Sequence, residues 1–434
     1  MNKINISRTS VNFFSLISAQ VIYKIFTFAM MIVMARYLGP QRFGVFSYAS
    51  SIVWIFLFIS DFGFAELFIR DVAPDRVLFT KYVNNIVTLK IFVSLAVYAV
   101  IIILNLIFIS RAEESAVILI LGISVILDSF MYFFRSAFRV KETMQYEGAL
   151  LVAESALKFC SILLVIYLKL EIPKIILVSF GLLFVSIVNL IINWFIFKLN
   201  YKNFYFTIDG DFWLYLLKTS FPFAAVYILT FLSFRSNIIM LSLMKGSLAA
   251  GWYSVDFKLL EQFLIIPATI ASVYLPLLSR LSSSPGKVNS IVRKTALPLI
   301  FAGLLSVGFL YFCGGYLIRI IFGSGFAEAG SYLFIVSLVL PFFFIKPVVE
   351  KLLYILNKQG EVFRVYIAGI AVNIILSWIL IPAWDVRGVA ASTFISEALI
   401  IISLISIYKK HRYSLQNIKP IDATVNSLLL NEAV

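Results

Sequence analysis

Charge, cysteine and histidine are all scarce in this chain of 434 residues. Only 13% of its residues are Asp, Glu, Lys or Arg, while 62% are hydrophobic. A soluble domain of this length has no interior large enough to hide so much apolar surface, so a water-soluble fold is excluded. The two cysteines, Cys160 and Cys313, lie in different apolar runs and form no CxxC or metal-ligand pattern; they read as small packing residues. The one histidine, His411, sits in the basic stretch Tyr408 to Tyr413, where an interfacial role suits it better than catalysis or ligation. HExxH, GxSxG, a Walker loop and any His/Cys/Asp cluster are also missing, which leaves no conventional catalytic machinery and no call for a cofactor. A cleavable leader is not expected either: the apolar run after Lys3 and Arg8, from Val11 to Leu38, is too long for a signal core.

What the chain has in abundance is long apolar runs. About twelve stretches reach the roughly 20 residues that cross a bilayer as a helix, near 11–38, 44–68, 83–109, 115–138, 148–168, 172–197, 220–243, 250–278, 293–321, 330–353, 362–381 and 387–408. The runs are continuous rather than alternating, so strands are excluded and an all-α integral membrane protein follows. The net charge of +14 would suggest nucleic acid in a polar chain, but here the basic residues lie mostly between spans. With the N-terminus inside, about 22 Lys and Arg fall on the cytoplasmic side and about 8 outside, which places both termini in the cytoplasm.

A short pattern occurs twice. LGPQRFGVFSYA, from Leu38, carries Gly39-x4-Gly44, and KGSLAAGWYSVD, from Lys245, carries Gly246-x4-Gly251; each joins the first two spans of a set of six. Glycine suits such a reversal because it tolerates positive φ. The recurrence reads as an internal duplication. It predicts an N-terminal six-helix lobe over 1–200, an amphipathic interfacial linker over 201–219, a C-terminal six-helix lobe over 220–411 and a cytoplasmic tail over 412–434. Even numbers of spans per lobe put the pseudo-symmetry axis along the membrane normal.

Six basic residues fall inside spans: Lys24, Lys90, Lys158, Arg235, Lys258 and Lys346. Each costs about 2.5–3.5 kcal/mol at the bilayer centre, so each needs water, a partner or a ligand. Glu154 and Lys158, and Lys346 and Glu350, have the i, i+4 spacing of local ion pairs, and Lys90 is close enough to a span end to snorkel. Lys24 and Arg235 lie deeper. Gln20 and Thr27 share the stripe of Lys24, while Thr230, Ser233 and Asn237 surround Arg235. Superposing the two hinges puts Lys24 opposite Phe231, one turn from Arg235. Lys258 shares a face with Glu261 and Gln262, with Asp256 pointing elsewhere, and a Lys258–Glu261 salt bridge is the plain alternative. Acidic candidates are Asp61 and Glu66 near the inner end of the second span, Asp128 in the fourth and Glu397 in the twelfth, and Asp128, Asp256, Glu261 and Glu397 are the candidates for a polar cavity or for ion coupling; Asp128 shares a stripe with Arg135 and could merely neutralise it.

Several further segments join the hinge motif ARYLGPQRFGVFSYA from Ala35 and its copy from Lys245. They are FRVKETMQYEGAL from Phe138, IIFGSGFAEAGSYLFIVSLVLPF from Ile320, YILNKQGEVFRV from Tyr354 and GVAASTFISEAL from Gly388. In this order they resemble the polysaccharide transporter (Wzx-type) branch of the multidrug/oligosaccharidyl-lipid/polysaccharide flippase superfamily, over nearly the whole chain. The resemblance implies two lobes around a central cavity that opens alternately to either side and carries an undecaprenyl-pyrophosphate-linked oligosaccharide, an O-antigen or related repeat unit, to the outer leaflet of the bacterial inner membrane. It implies a protein that is no enzyme and needs no ATP site, that works as a monomer, and that consorts with glycan polymerase machinery. Its cycle could be coupled to H+ or Na+. A diphosphate crossing lipid needs cations, so Lys24 and Arg235, with Lys258 assisting, are the candidate pyrophosphate ligands; Gln20 and Asn237 are candidate polar cavity residues. Alternatives are a multidrug or cation antiporter of the same superfamily, which would use inward carboxylates, a lipid II flippase, and a membrane glycan polymerase or glycosyltransferase, which would show a larger extramembrane loop.

Overall fold

The computed structural model describes residues 6–109, 111–168, 170–201, 204–267, 270, 285–356 and 358–411. The expected tail, 412–434, and the end of the expected eighth span lie outside the described residues. Among the described residues every regular element is helical. The long helices are α1 (Ile6–Asp61), α3 (Phe79–Phe108), α4 (Ala112–Val140), α5 (Met144–Leu168), α6 (Lys174–Asn200), α7 (Gly210–Lys245), α8 (Ser247–Phe263), α9 (Pro285–Phe322), α11 (Leu340–Ile355) and α12 (Gln359–His411), with short α2 (Phe64–Val72) and α10 (Ala329–Ser337).

Nine helical stretches among the described residues are long and apolar enough to cross a membrane, which makes this a multi-pass membrane protein. That is fewer than the twelve spans read from the sequence. Two of the nine, Leu16–Val72 and Gln359–His411, run through interruptions at Gly39 and Asp385 without losing helix on either side, and α8 has only 17 described residues.

The two hinge copies share one backbone geometry. Gly39 has φ 73 and ψ 170, and Gly246 has φ 87 and ψ 172. This region of the map is essentially closed to side chains with a Cβ, so the recurring glycine is a conformational requirement. Pro40 follows Gly39 at the start of the next helical arm, where its missing N–H would have no partner in any case.

The chain forms two compact units, Met1–Ser242 and Leu243–Val434. The division falls within α7, so nearly all of the seventh helix goes with the first unit. The reason lies in the linker, which is not a free amphipathic helix over 201–219. Residues 204–209 form no regular element, and the helix that starts at Gly210 continues into the span. Three polar residues of α3 hold it: Asn84 accepts from the Tyr205 backbone N–H at 3.2 Å, Thr88 from that of Thr207 at 3.3 Å, and Asn85 from the Trp213 indole at 3.2 Å. Below this strip lies an aromatic core of Phe68, Phe79, Phe133, Phe134, Phe138, Phe197 and Tyr201. Lys141 caps it with its Nζ 3.8 Å from the centre of the Tyr201 ring. Burial there pushes the Tyr201 hydroxyl up to about 12.

In the second unit, α9 packs on α10 and α11, α8 on α10, and α12 on α10 and α11. Large side chains such as Leu106, Phe184 and Phe312 stay exposed, the natural state of a lipid-facing surface.

Candidate functional site

The first unit buries a connected set of four charges between α4, α5 and α6. Arg135 meets Glu154 at 2.6 Å and donates to Asn193 at 3.2 Å. Lys158 donates to Glu154 at 2.6 Å and to Asp128 at 3.0 Å, and Ser186 donates to Asp128 at 2.9 Å. Two cations and two carboxylates cancel, which is what makes such burial bearable in lipid. Arg135 therefore answers Glu154, not Asp128 as the shared stripe suggested, and the partner of Asp128 is Lys158 on the next helix. The sixth helix supplies Ser186 and Asn193. Their signal was present as polar residues inside an apolar span, but nothing in the sequence said which charge they served.

Lys90 does not snorkel. It is 0% exposed and donates to Asp61 at 2.9 Å and to the Ser60 carbonyl at 3.2 Å. The Ser60 hydroxyl lies 2.8 Å from that of Ser94 and 3.0 Å from that of Ser129, a hydroxyl cluster not evident in the sequence. Glu66 accepts from Tyr132 at 2.9 Å and from Tyr227 of α7 at 2.8 Å. Arg139 grips Glu147 through two nitrogens, the closer at 2.5 Å.

Lys24 differs from these cations. It is exposed on the face of α1 that also exposes Gln20, and no ion pair of its side chain is found among the described residues. Arg235 is half-buried on α7, its guanidinium 5.8 Å from the Phe231 ring. Phe231 in turn stacks on Trp54 at 6.4 Å, while Tyr227 stacks on Phe58 at 5.5 Å, and these contacts seat α7 against the second arm of α1. Asn237 is buried two residues, about half a turn, beyond Arg235 and so faces away from it.

In the second unit Lys258 donates to Glu261 at 2.6 Å. Lys346 reaches Glu397 at 2.9 and 3.1 Å rather than Glu350 one turn away, and Glu350 accepts from Tyr366 instead. Glu397, which has no partner in its own helix, thus finds one across the α11–α12 contact. Asp256 is fully buried, with no hydrogen-bond partner for either carboxyl oxygen among the described residues. Among the described residues no three His, Cys, Asp or Glu side chains gather as a metal site would require.

The sequence matches, over residues 10–282, the model of a family described as polysaccharide biosynthesis protein. It is 26% identical over 200 residues to the capsular polysaccharide biosynthesis protein CapF of Staphylococcus aureus, covering 43% of this chain and 50% of CapF. It is 27% identical over 169 residues to the probable flippase AglR of Haloferax volcanii, covering 38% of this chain and 35% of AglR. The matched region thus spans half or less of each of these relatives. In fold, the lipid II flippase MurJ in an inward closed conformation superposes with a TM-score of 0.75 at 16% identity, covering 92% of this chain and 89% of MurJ. With the family match running over more than half of its length, this chain belongs to the polysaccharide biosynthesis protein family.

Proposed function

We propose that this protein is a flippase that carries a polyprenyl-diphosphate-linked oligosaccharide, such as an undecaprenyl-linked O-antigen or related repeat unit, from the cytoplasmic to the outer leaflet by alternating access. Its relatives carry the names of polysaccharide biosynthesis proteins and flippases, and its fold is that of a transporter rather than of an enzyme. We read the two units as the moving lobes, with twelve crossings in all and both termini in the cytoplasm. The observation that carries the reading is a contrast among the deep cations. Lys90, Lys158 and Lys346 are each neutralised by a buried acid, and Lys258 is engaged by Glu261, whereas Lys24 stays exposed on α1 with no ion pair among the described residues.

A diphosphate offers the missing anion. Lys24 and Arg235 are its ligands in this reading, because charge-assisted bonds from Lys and Arg hold phosphate oxygens well. Gln20, one turn from Lys24 on the same exposed face, adds a hydrogen bond near it. Asp128 and Glu397, which a cation antiporter would need free, are bound to lysines. The membrane potential favours the direction, since each negative charge moved outward gains about 2.3 kcal/mol per 100 mV.

Complementation of a strain lacking its own flippase tests the assignment. The double variant Lys24→Ala, Arg235→Ala should lose surface glycan at unchanged membrane abundance. Wild-type glycan from that variant would remove both residues from the mechanism.

A further inference from the structure

Every other buried acid among the described residues meets a base. Asp61 meets Lys90, Asp128 meets Lys158, Glu147 meets Arg139, Glu154 meets Arg135 and Glu397 meets Lys346. Asp256 is 0% exposed, and neither oxygen finds a hydrogen-bond partner. Asp256 lies about 14 Å along α8 from Ser247 at ~1.5 Å per residue, well inside the helix. Its neighbours along α8, Val255, Phe257, Leu259 and Leu260, are buried and apolar.

The helices packed on α8 bring titratable groups of their own, none of which bonds Asp256. From α10, Tyr332 turns to Glu328 at 3.4 Å and to the Trp252 ring at 6.1 Å. From α12, Asp385 is taken by Lys245, Glu397 by Lys346, and Arg387 lies over Tyr332. From α9, the Tyr311 ring packs on Phe334, and no bond from Tyr316 or Arg319 to Asp256 is found. On α8 itself Lys258 turns to Glu261.

A carboxylate ion sealed in such a place, with no counter-charge, costs several kcal/mol. One proton removes that cost, leaving only the burial of a small polar group. We propose that Asp256 is a proton-carrying site in the second unit, loaded while sealed and emptied when a change of conformation lets water reach α8. On opening, the carboxyl O–H bond breaks, the proton passes to water and the carboxylate is solvated; resealing requires a proton to be taken up again. Loading from the outer side and release to the inner side would couple proton entry to outward movement of the anionic lipid. This coupling rests on the flippase reading above.

The test uses the full-length protein in proteoliposomes, with an NBD-labelled polyprenyl diphosphate disaccharide as probe and an entrapped pH dye. Wild type should move protons in the direction opposite to the lipid, Asp256→Glu should do the same, and Asp256→Asn should move no protons under the same lipid gradient. Lipid movement without proton movement in wild type, dependence on sodium in place of protons, or unaltered proton flux in Asp256→Asn would overturn the proposal. If no lipid moves at all, the flippase reading fails, and infrared spectroscopy of the protein in nanodiscs decides the proton site by itself. A protonated-carboxyl band present in wild type, shifted in Asp256→Glu and missing in Asp256→Asn supports it, and its absence from wild type overturns it.

Discussion

The Lys245 ammonium lies 2.8 Å from Oδ1 of Asp385, the residue whose φ of 50 and ψ of −127 break α12 into two arms. An ion pair therefore secures the one interruption in that helix, and it joins the hinge at the end of α7 to the bend in α12. A non-glycine residue in this region costs about 1–3 kcal/mol, and a partly exposed ion pair returns only about 0–1 kcal/mol. Asp385→Gly should therefore melt above Asp385→Ala by the equivalent of about 1–2 kcal/mol, while Lys245→Ala stays within about 1 kcal/mol of wild type. Thermal melts in detergent would show it; Gly and Ala variants that melt together would mean that the backbone there is relaxed.

Lys90 and Asp61 should behave as a unit. Removing one partner strands the other charge in a sealed site and should cost about 3–5 kcal/mol, whereas Lys90→Met with Asp61→Leu should cost clearly less than either single change. Membrane abundance and melting temperature of the three variants measure this. A double variant as damaged as the sum of the singles would contradict the pairing.

Gly63 should tolerate no side chain. It has φ 75, and a Cβ there would lie 2.7 Å from the Ser220 carbonyl oxygen and 2.9 Å from the Ala224 nitrogen, both on α7. Gly63→Ala should pry α7 off the short helix α2 and weaken the Tyr227–Glu66 bond. Limited proteolysis across residues 204–220 should speed up in this variant and not in Gly360→Ala, whose added Cβ meets open space.

Alkali should loosen the first unit through Tyr201. Its hydroxyl titrates at about 12 in the folded protein, against 10.0 for an ordinary tyrosine. The fold thus prefers the neutral phenol. That preference is fully present below pH 10, and it is lost as the pH rises towards 12. Tyr201→Phe should flatten this part of the stability profile, and an unchanged profile would mean that another group controls it.

Much of the architecture was legible because membrane helices announce themselves by length and continuity. The hinges were legible too, since a glycine at positive φ leaves few substitutes and recurs in both copies. Partners were not. Spacing of i, i+4 predicted Glu154 with Lys158 correctly, but it did not show that Lys158 also takes Asp128 and that Glu154 also takes Arg135 from α4. The same spacing misled for Lys346, whose better-placed acid, Glu397, comes from a helix about fifty residues onward. Asp128 beside Arg135 failed likewise. In a bundle buried charges choose among neighbouring helices, and sequence distance says little about which neighbour wins. The linker was misread for a related reason: its aromatic and charged residues look amphipathic, but the Asn and Thr side chains that take up the backbone N–H groups of Tyr205 and Thr207 belong to α3.

The pinned strip has a practical corollary for anyone dividing this protein into separately expressed pieces. A cut among residues 204–209 would sever a segment stitched to its own unit and orphan α7 from the helices that seat it. A break just past Lys245, at the glycine turn, would instead give each fragment nearly all of its own interior to close upon.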